Sequence, residues 1–171
     1  MADSNEPNGA AVAIDPQTAQ AGQPPLSITL QYVKDFSFEN PRAPHSLRPQ
    51  TMQPQVEINI DVGAQNLGPD TFEVVLTIKS SAKIQEEALF LVELAYAGVI
   101  TARNVPQEFL SAVVLVETPR LLFPFARNII ADTTRDGGFP PLMINPIDFA
   151  ELLRRNSAAQ AGAQADGTAT A

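Results

Sequence analysis

Polar and apolar residues alternate with a period of two along the first half of the chain and change to helical spacing in the second, which predicts strands first and helices after. The first strand spans Leu26 to Asn40, with Ile28, Leu30, Tyr32, Phe36 and Phe38 on one face and Thr29, Gln31, Val33, Asp35, Ser37 and Glu39 on the other. Lys34 interrupts the apolar side. A second strand alternates Val56, Ile58, Ile60 and Val62 with Glu57, Asn59 and Asp61 and ends at Gly63. After the turn NLGPD, Asn66 to Asp70, a third strand alternates Phe72, Val74, Leu76 and Ile78 with Thr71, Glu73, Val75, Thr77 and Lys79. The fourth, about Gln85 to Ile100, sets Phe90, Val92, Leu94 and Tyr96 against Leu89, Leu91, Glu93 and Ala95. It is apolar on both sides, as expected of a strand whose second face is covered by another subunit or a partner. Short turns between the last three strands predict an antiparallel sheet.

Helical segments follow at Gln107 to Glu117, Pro119 to Arg135 and Pro146 to Arg155, so the class is α+β. In the middle one Thr118 is the expected N-cap, Pro119 the first helical residue, and Leu122, Phe125, Ala126, Ile129, Ile130 and Thr133 share a face. Pro124 predicts a kink or a start delayed to Phe123, because it lacks a donor and clashes with the preceding turn. Gly137 and Gly138 close the helix. The run FPPLMINP that follows is kept extended by prolines after Phe139 and Asn145. The last helix takes Asn145 as N-cap, Pro146 at its first position and Asp148 at its third, and presents Ile147, Leu152 and Leu153 beside Phe149.

Composition bounds the rest. A chain of 171 residues with 44% hydrophobic content is expected to form one domain with loose ends. Residues 1–25 and 156–171 are rich in Ala, Gln and Gly and are expected to be disordered, leaving 26–155 as the folded unit. The net charge is −8, and −4 once Asp3, Glu6, Asp15 and Asp166 of the tails are set aside. That argues against non-specific nucleic-acid binding and favours basic partners, although acidity also serves plain solubility. The chain has no cysteine, which excludes disulfides and thiolate metal sites. No secretory signal is read at residues 1–25, and the apolar stretches Ala88 to Leu94, apart from its glutamate, and Ala112 to Val116 fall far short of a bilayer span. The expected location is cytoplasmic.

The sequence offers little catalytic chemistry. His45 is the only histidine and lies in the proline-rich segment Pro41 to Gln55. No phosphate-binding loop, dinucleotide fingerprint or nucleophile elbow is present. Glu86 with Glu87, and Asp132 with Asp136, read as solvated charges at least as well as paired carboxylates. The expectation is a protein that is not an enzyme and uses no cofactor or metal. What stands out is apolar surface: Leu47, Met52, Val56, Ile58 and Ile60, with Phe139 to Ile144 and Phe149, would line a groove or an ordinary core.

Three segments resemble the SecB family of bacterial protein-export chaperones. LLFPFARNIIADTTRDGGFPPLMINPIDF is similar to its F-P-[FY]-A-R, F-P-x-L and P-[IV]-[DN]-F elements; YVKDFSFENPRAPH and EEALFLVELAYAGVI are similar to two more of its motifs. Together they cover about residues 28–155. The resemblance implies a four-stranded antiparallel sheet followed by a long helix and a short C-terminal helix, assembled as a dimer of dimers. It implies binding of unfolded secretory precursors and delivery to the motor SecA, without catalysis or nucleotide. Asp35, Glu39, Leu91 and Glu93 would meet the basic, zinc-bearing tail of SecA. Leu47, Met52, Val56, Ile58, Ile60, Phe149 and Leu153 would line the client groove, with aliphatic or Met side chains at Leu47, Met52 and Leu153 where familiar members carry aromatics. Val92 stands where some members have a cysteine. Two alternatives remain at this point: a SecB-like chaperone dedicated to one antitoxin, and an acyl-thioester hydrolase of the hot-dog type.

Overall fold

A computed structural model describes residues 26–166; the predicted disorder of residues 1–25 and 167–171 lies outside them. Four strands, β1 (Leu26–Glu39), β2 (Gln55–Gly68), β3 (Thr71–Ile84) and β4 (Glu87–Ala102), form one antiparallel sheet in the order β1-β4-β3-β2. A long helix α1 (Gln107–Asp136) and a C-terminal helix α2 (Phe149–Asp166) follow. The α+β class and the element order predicted from the pattern are those observed.

The sheet's order explains the proline-rich connection. Because β1 and β2 lie at opposite edges, residues 40–54 must pass along the whole end of the sheet. Ser46 is buried there and its hydroxyl donates to Asn40 Oδ1 at 2.6 Å. The hairpins are tight, and Asp70 and Gln85 adopt positive φ to make them.

Several boundaries differ from the pattern. β2 continues through Gly63 to Gly68, and β3 continues past Lys79 to Ile84, because each supplies the other's backbone partners along the full hairpin. Pairing overrides local composition here. In β1, register shifts between Ile28 and Leu30 and between Val33 and Asp35 break the alternation. Leu30 and Tyr32 therefore stand opposite Val99 and Ala97, on the face away from the helices, whereas Val33 lies opposite Tyr96 on the helix side with Phe36 and Phe38.

The helix side holds the core. Val74, Leu76, Ile78, Val92, Leu94 and Ile100 meet Leu122, Ala126 and Ile130 of α1, all within 1% of full burial. α1 comes close at Gly98, where a Cβ would sit 2.8 Å from Leu122 Cδ2. Expected as two helices broken at Thr118, α1 is one element with a π turn at Val113–Glu117. Thr118 does not cap: its N–H and its hydroxyl both donate to the Val113 carbonyl, and the wider turn accommodates Pro119, which has no N–H. Pro124 sits inside the helix without ending it. The merged element is long and apolar enough to cross a membrane by length and composition, but its buried stripe is spent on the sheet.

Beyond Gly138, whose φ of 88° suits glycine, the chain runs extended along α1. Thr134 ties it down: its hydroxyl donates to the Ile130 carbonyl at 3.0 Å and accepts the Leu142 N–H at 2.9 Å. Phe139 packs on Phe90, which in turn stacks on Phe38. α2 starts at Phe149 rather than Pro146, and Asp148 rather than Asn145 is its cap, accepting the Glu151 N–H at 3.0 Å. That hydrogen bond, above all, holds the Asp148 carboxyl below its ordinary pKa. The helix also runs beyond Arg155 into the alanine-rich stretch expected to lack regular structure, where alanine's high helix propensity is enough to continue it.

Thr134→Val should strand the Leu142 N–H and lower unfolding free energy by about 1–3 kcal/mol in urea titrations. Thr134→Ser, which keeps the oxygen, should cost clearly less.

Candidate functional site

Two surfaces on opposite sides of the sheet hold the four residues of the expected acidic set and, of the expected groove set, Ile58 and Ile60. On the outer face, β1 places Asp35 opposite Ala95, Ser37 opposite Glu93 and Glu39 opposite Leu91. Asp35, Glu39, Leu91 and Glu93 therefore form one continuous patch across two paired strands. Leu91 is half-buried among them and the three acids are exposed. Asp35 and Glu39 make no ion pair among the described residues, while Glu93 pairs with Lys79 at 2.9 Å.

The neighbouring lysine is held elsewhere. Lys34 Nζ lies 2.6 Å from Glu73 Oε2 on β3, and the Tyr32 hydroxyl donates a short hydrogen bond to Glu73 Oε1. To reach β3 both side chains cross β4, and Ala97 beneath them is fully buried although it faces outward. The hydrogen bonds from Lys34 and then Tyr32 hold the Glu73 carboxyl below its ordinary value of 4.5. In return the carboxylate raises the pKa of Tyr32 and of Lys34, in each case first through that hydrogen bond. Parity along β1 puts Tyr32 among the apolar residues of the core side, so nothing in the pattern revealed this triad. The bulges that reorient it leave no mark in composition.

On the helix side, a cavity of about 600 Å³ opens between β2 and the start of α2. Ile58 and Ile60 line one wall, and Ile144, Ile147 and Leu152 the other. Asn59, Asn145, Arg155 and Asn156 form its polar margin. Ile147 and Leu152 are groove residues that the sequence reading placed on the last helix without assigning them to the groove.

The other expected groove residues lie elsewhere. Phe149 is 1% exposed and packs edge-on against Phe123 at 5.9 Å, so it belongs to the core. Leu47 is exposed in the proline-rich connection and rests on Gly138. Met52, near Gln85, and Val56, at the start of β2, are also exposed, and Leu153 is half-buried. None of these lines the cavity.

A third apolar surface is uncovered in the single chain. Tyr96 stacks on Phe125 at 6.4 Å and stands opposite Val33, and Leu121 and Phe125 of α1, like Val33 and Phe36 of β1, are about half exposed. No group of three or more His, Cys, Asp or Glu residues among the described residues is arranged to hold a metal ion.

Comparison with known proteins accords with this geometry. The family model described as preprotein translocase subunit SecB matches residues 19–160. A protein-export protein SecB of Afipia carboxidovorans is 55% identical over 148 residues, 86% of this chain and 92% of that one. One of a Bradyrhizobium species is 54% identical over 146 residues, 85% of this chain and 90% of its own. Among solved structures, a SecB-like chaperone of Mycobacterium tuberculosis, in complex with a ChAD peptide from an antitoxin, has a TM-score of 0.59 at 16% identity, covering 71% of this chain and 90% of that one. At that identity the likeness is one of fold.

Glu73 carries a pH signature. Its depressed pKa means that its contribution to stability is complete above the ordinary glutamate value and is lost as pH falls through the lower, folded one. The raised values of Tyr32 and Lys34 make their share fade only in alkaline solution. In urea titrations across the acid range, Glu73→Gln should flatten the wild-type decline; an unchanged decline would place its origin in other carboxylates.

Proposed function

The chain belongs to the SecB family of protein-export chaperones, and we propose that it holds unfolded secretory precursors in the groove beside β2 and passes them to SecA docked on the outer face. The observation that carries the reading is the pairing of an open aliphatic groove and a carboxylate patch on the two sides of one sheet. An extended client segment gains roughly 25 cal/mol per Å² of apolar surface buried, chiefly against Ile58, Ile60 and Ile147, since Ile144 and Leu152 at the back of the groove are already buried. No particular client sequence is needed, because aliphatic walls accept many side chains and the polar margin serves main-chain groups.

Asp35, Glu39, Leu91 and Glu93 then suit a basic partner with an apolar contact at its centre. Attraction between exposed charges is screened by salt, so docking should weaken as ionic strength rises. The exposed stripe of Leu121, Phe125, Val33 and Phe36 supports assembly into a dimer of dimers, in which helices of facing subunits cover one another. Several grooves on one tetramer would hold one long chain through effective concentration even where each contact is weak. The work is binding alone, with no cofactor, and takes place in the cytoplasm before the client crosses the membrane. The export proteins at about 55% identity favour this reading over a dedicated antitoxin chaperone or a thioester hydrolase.

Native mass measurement tests the whole scheme. The protein alone should appear as a tetramer, and with a reduced, unfolded secretory protein as a tetramer carrying a client; a monomer that retains no client would overturn it. Ile58→Asp should weaken client holding by about tenfold or more, leaving SecA binding intact. Asp35→Asn with Glu39→Gln should do the reverse.

A further inference from the structure

We infer that Lys79 is an internal competitor for the partner's cations, occupying Glu93 until the partner displaces it. The inference rests on the docking face proposed above and concerns how tightly that face binds. Three lysines project on the outer side of the sheet, and each has a carboxylate. Lys34 is bound to Glu73 and so is kept from neutralising the adjacent Asp35, Lys83 lies 3.8 Å from Glu57, and Lys79 lies 2.9 Å from Glu93. Only the last of these engages a residue of the docking patch.

The arrangement follows directly from register. Lys79 on β3 and Glu93 on β4 are paired residues of the two central strands, so their side chains leave the sheet side by side. Glu57, Asn59, Lys79, Leu91 and Glu93 line a shallow depression of about 460 Å³. A cation arriving from a partner at Glu93 competes with the Lys79 ammonium for Oε2 and meets its like charge 2.9 Å from that oxygen. Both side chains of the pair are about half exposed, at 56% and 50%, and exposed pairs of this kind are weak and exchangeable. A buried pair would instead be structural and could not be displaced without loss of stability.

The patch therefore has two kinds of carboxylate. Asp35 and Glu39 attract a basic segment unopposed, whereas Glu93 contributes less while the Lys79 ammonium holds its Oε2. The effect is a face with reduced affinity, suited to a partner that must dock and then release. Removing the Lys79 ammonium should free Glu93 and tighten docking, the opposite of what loss of an ordinary stabilising ion pair would do.

The test is titration of the full-length chain with the zinc-loaded C-terminal tail peptide of SecA, at low and moderate salt. Lys79→Thr, a residue suited to a strand, should bind the peptide roughly two- to fivefold more tightly than wild type. Most of that gain should vanish in the Glu93→Gln background, and Lys83→Thr, the same charge change on the same strand, should gain less. If Lys79→Thr leaves affinity unchanged or lowers it while Asp35→Asn still weakens binding, the competitor role is wrong and the docking face stands. An equal gain with and without Glu93 would reduce the effect to net charge and likewise overturn it. Failure of the wild-type chain to bind the peptide, or binding that neither Asp35→Asn nor Glu93→Gln alters, would remove the docking face itself and the inference with it.

Discussion

The approach of α1 to the sheet depends on a missing side chain. At Gly98, in the second half of β4, a methyl group would stand 2.8 Å from Cδ2 of the fully buried Leu122. A side chain there would push Leu122 away from the core it shares with Val74, Leu76 and Leu94. The π turn at Val113–Glu117 serves the same end by carrying the chain through Pro119 without a break. With α1 seated, Thr134 fixes the extended segment that follows, and that segment supplies the second wall of the groove. The proposed client groove is thus linked, through a short chain of contacts, to the packing of Leu122 over Gly98.

One sheet keeps the two proposed binding surfaces apart. On β2, Ile58 and Ile60 point to the helix side and line the groove, with Asn59 reaching its margin from the strand edge, and the same alternation places Val92 and Leu94 in the core and Leu91 and Glu93 on the acidic patch. Charges on one face and aliphatic side chains on the other are separated by a single layer of backbone. Such a layout allows each surface to change by substitution without disturbing its opposite.

The fold was largely legible because strands with one buried face record it in period-two alternation, as β2 and β3 do. Where pairing rather than burial decides, the record fails: β2 continues through Gly63, Ala64 and Gln65, whose side chains say little, because β3 lies alongside. Bulges are equally silent, so Leu30 and Tyr32 could not be assigned to their true face. Parity showed that Asp35 and Glu39 share one side of β1 and Leu91 and Glu93 one side of β4, since both pairs lie on bulge-free stretches; that the two pairs meet was implied only by the family resemblance. The groove was half readable. Ile58 and Ile60 follow from alternation, but Phe149 and Ile147 lie close together near the start of one helix, and only tertiary packing decides which is inside.

The two bulges in β1 have a consequence for solubility. The chain exposes apolar side chains and also a fourteen-residue strand at the edge of its sheet, the kind of template on which fibres grow by adding strands side by side. Two register shifts bend that border and break its hydrogen-bonding ladder into short pieces. The crookedness that hid Tyr32 from the sequence reading thus also guards the molecule against open-ended polymerisation.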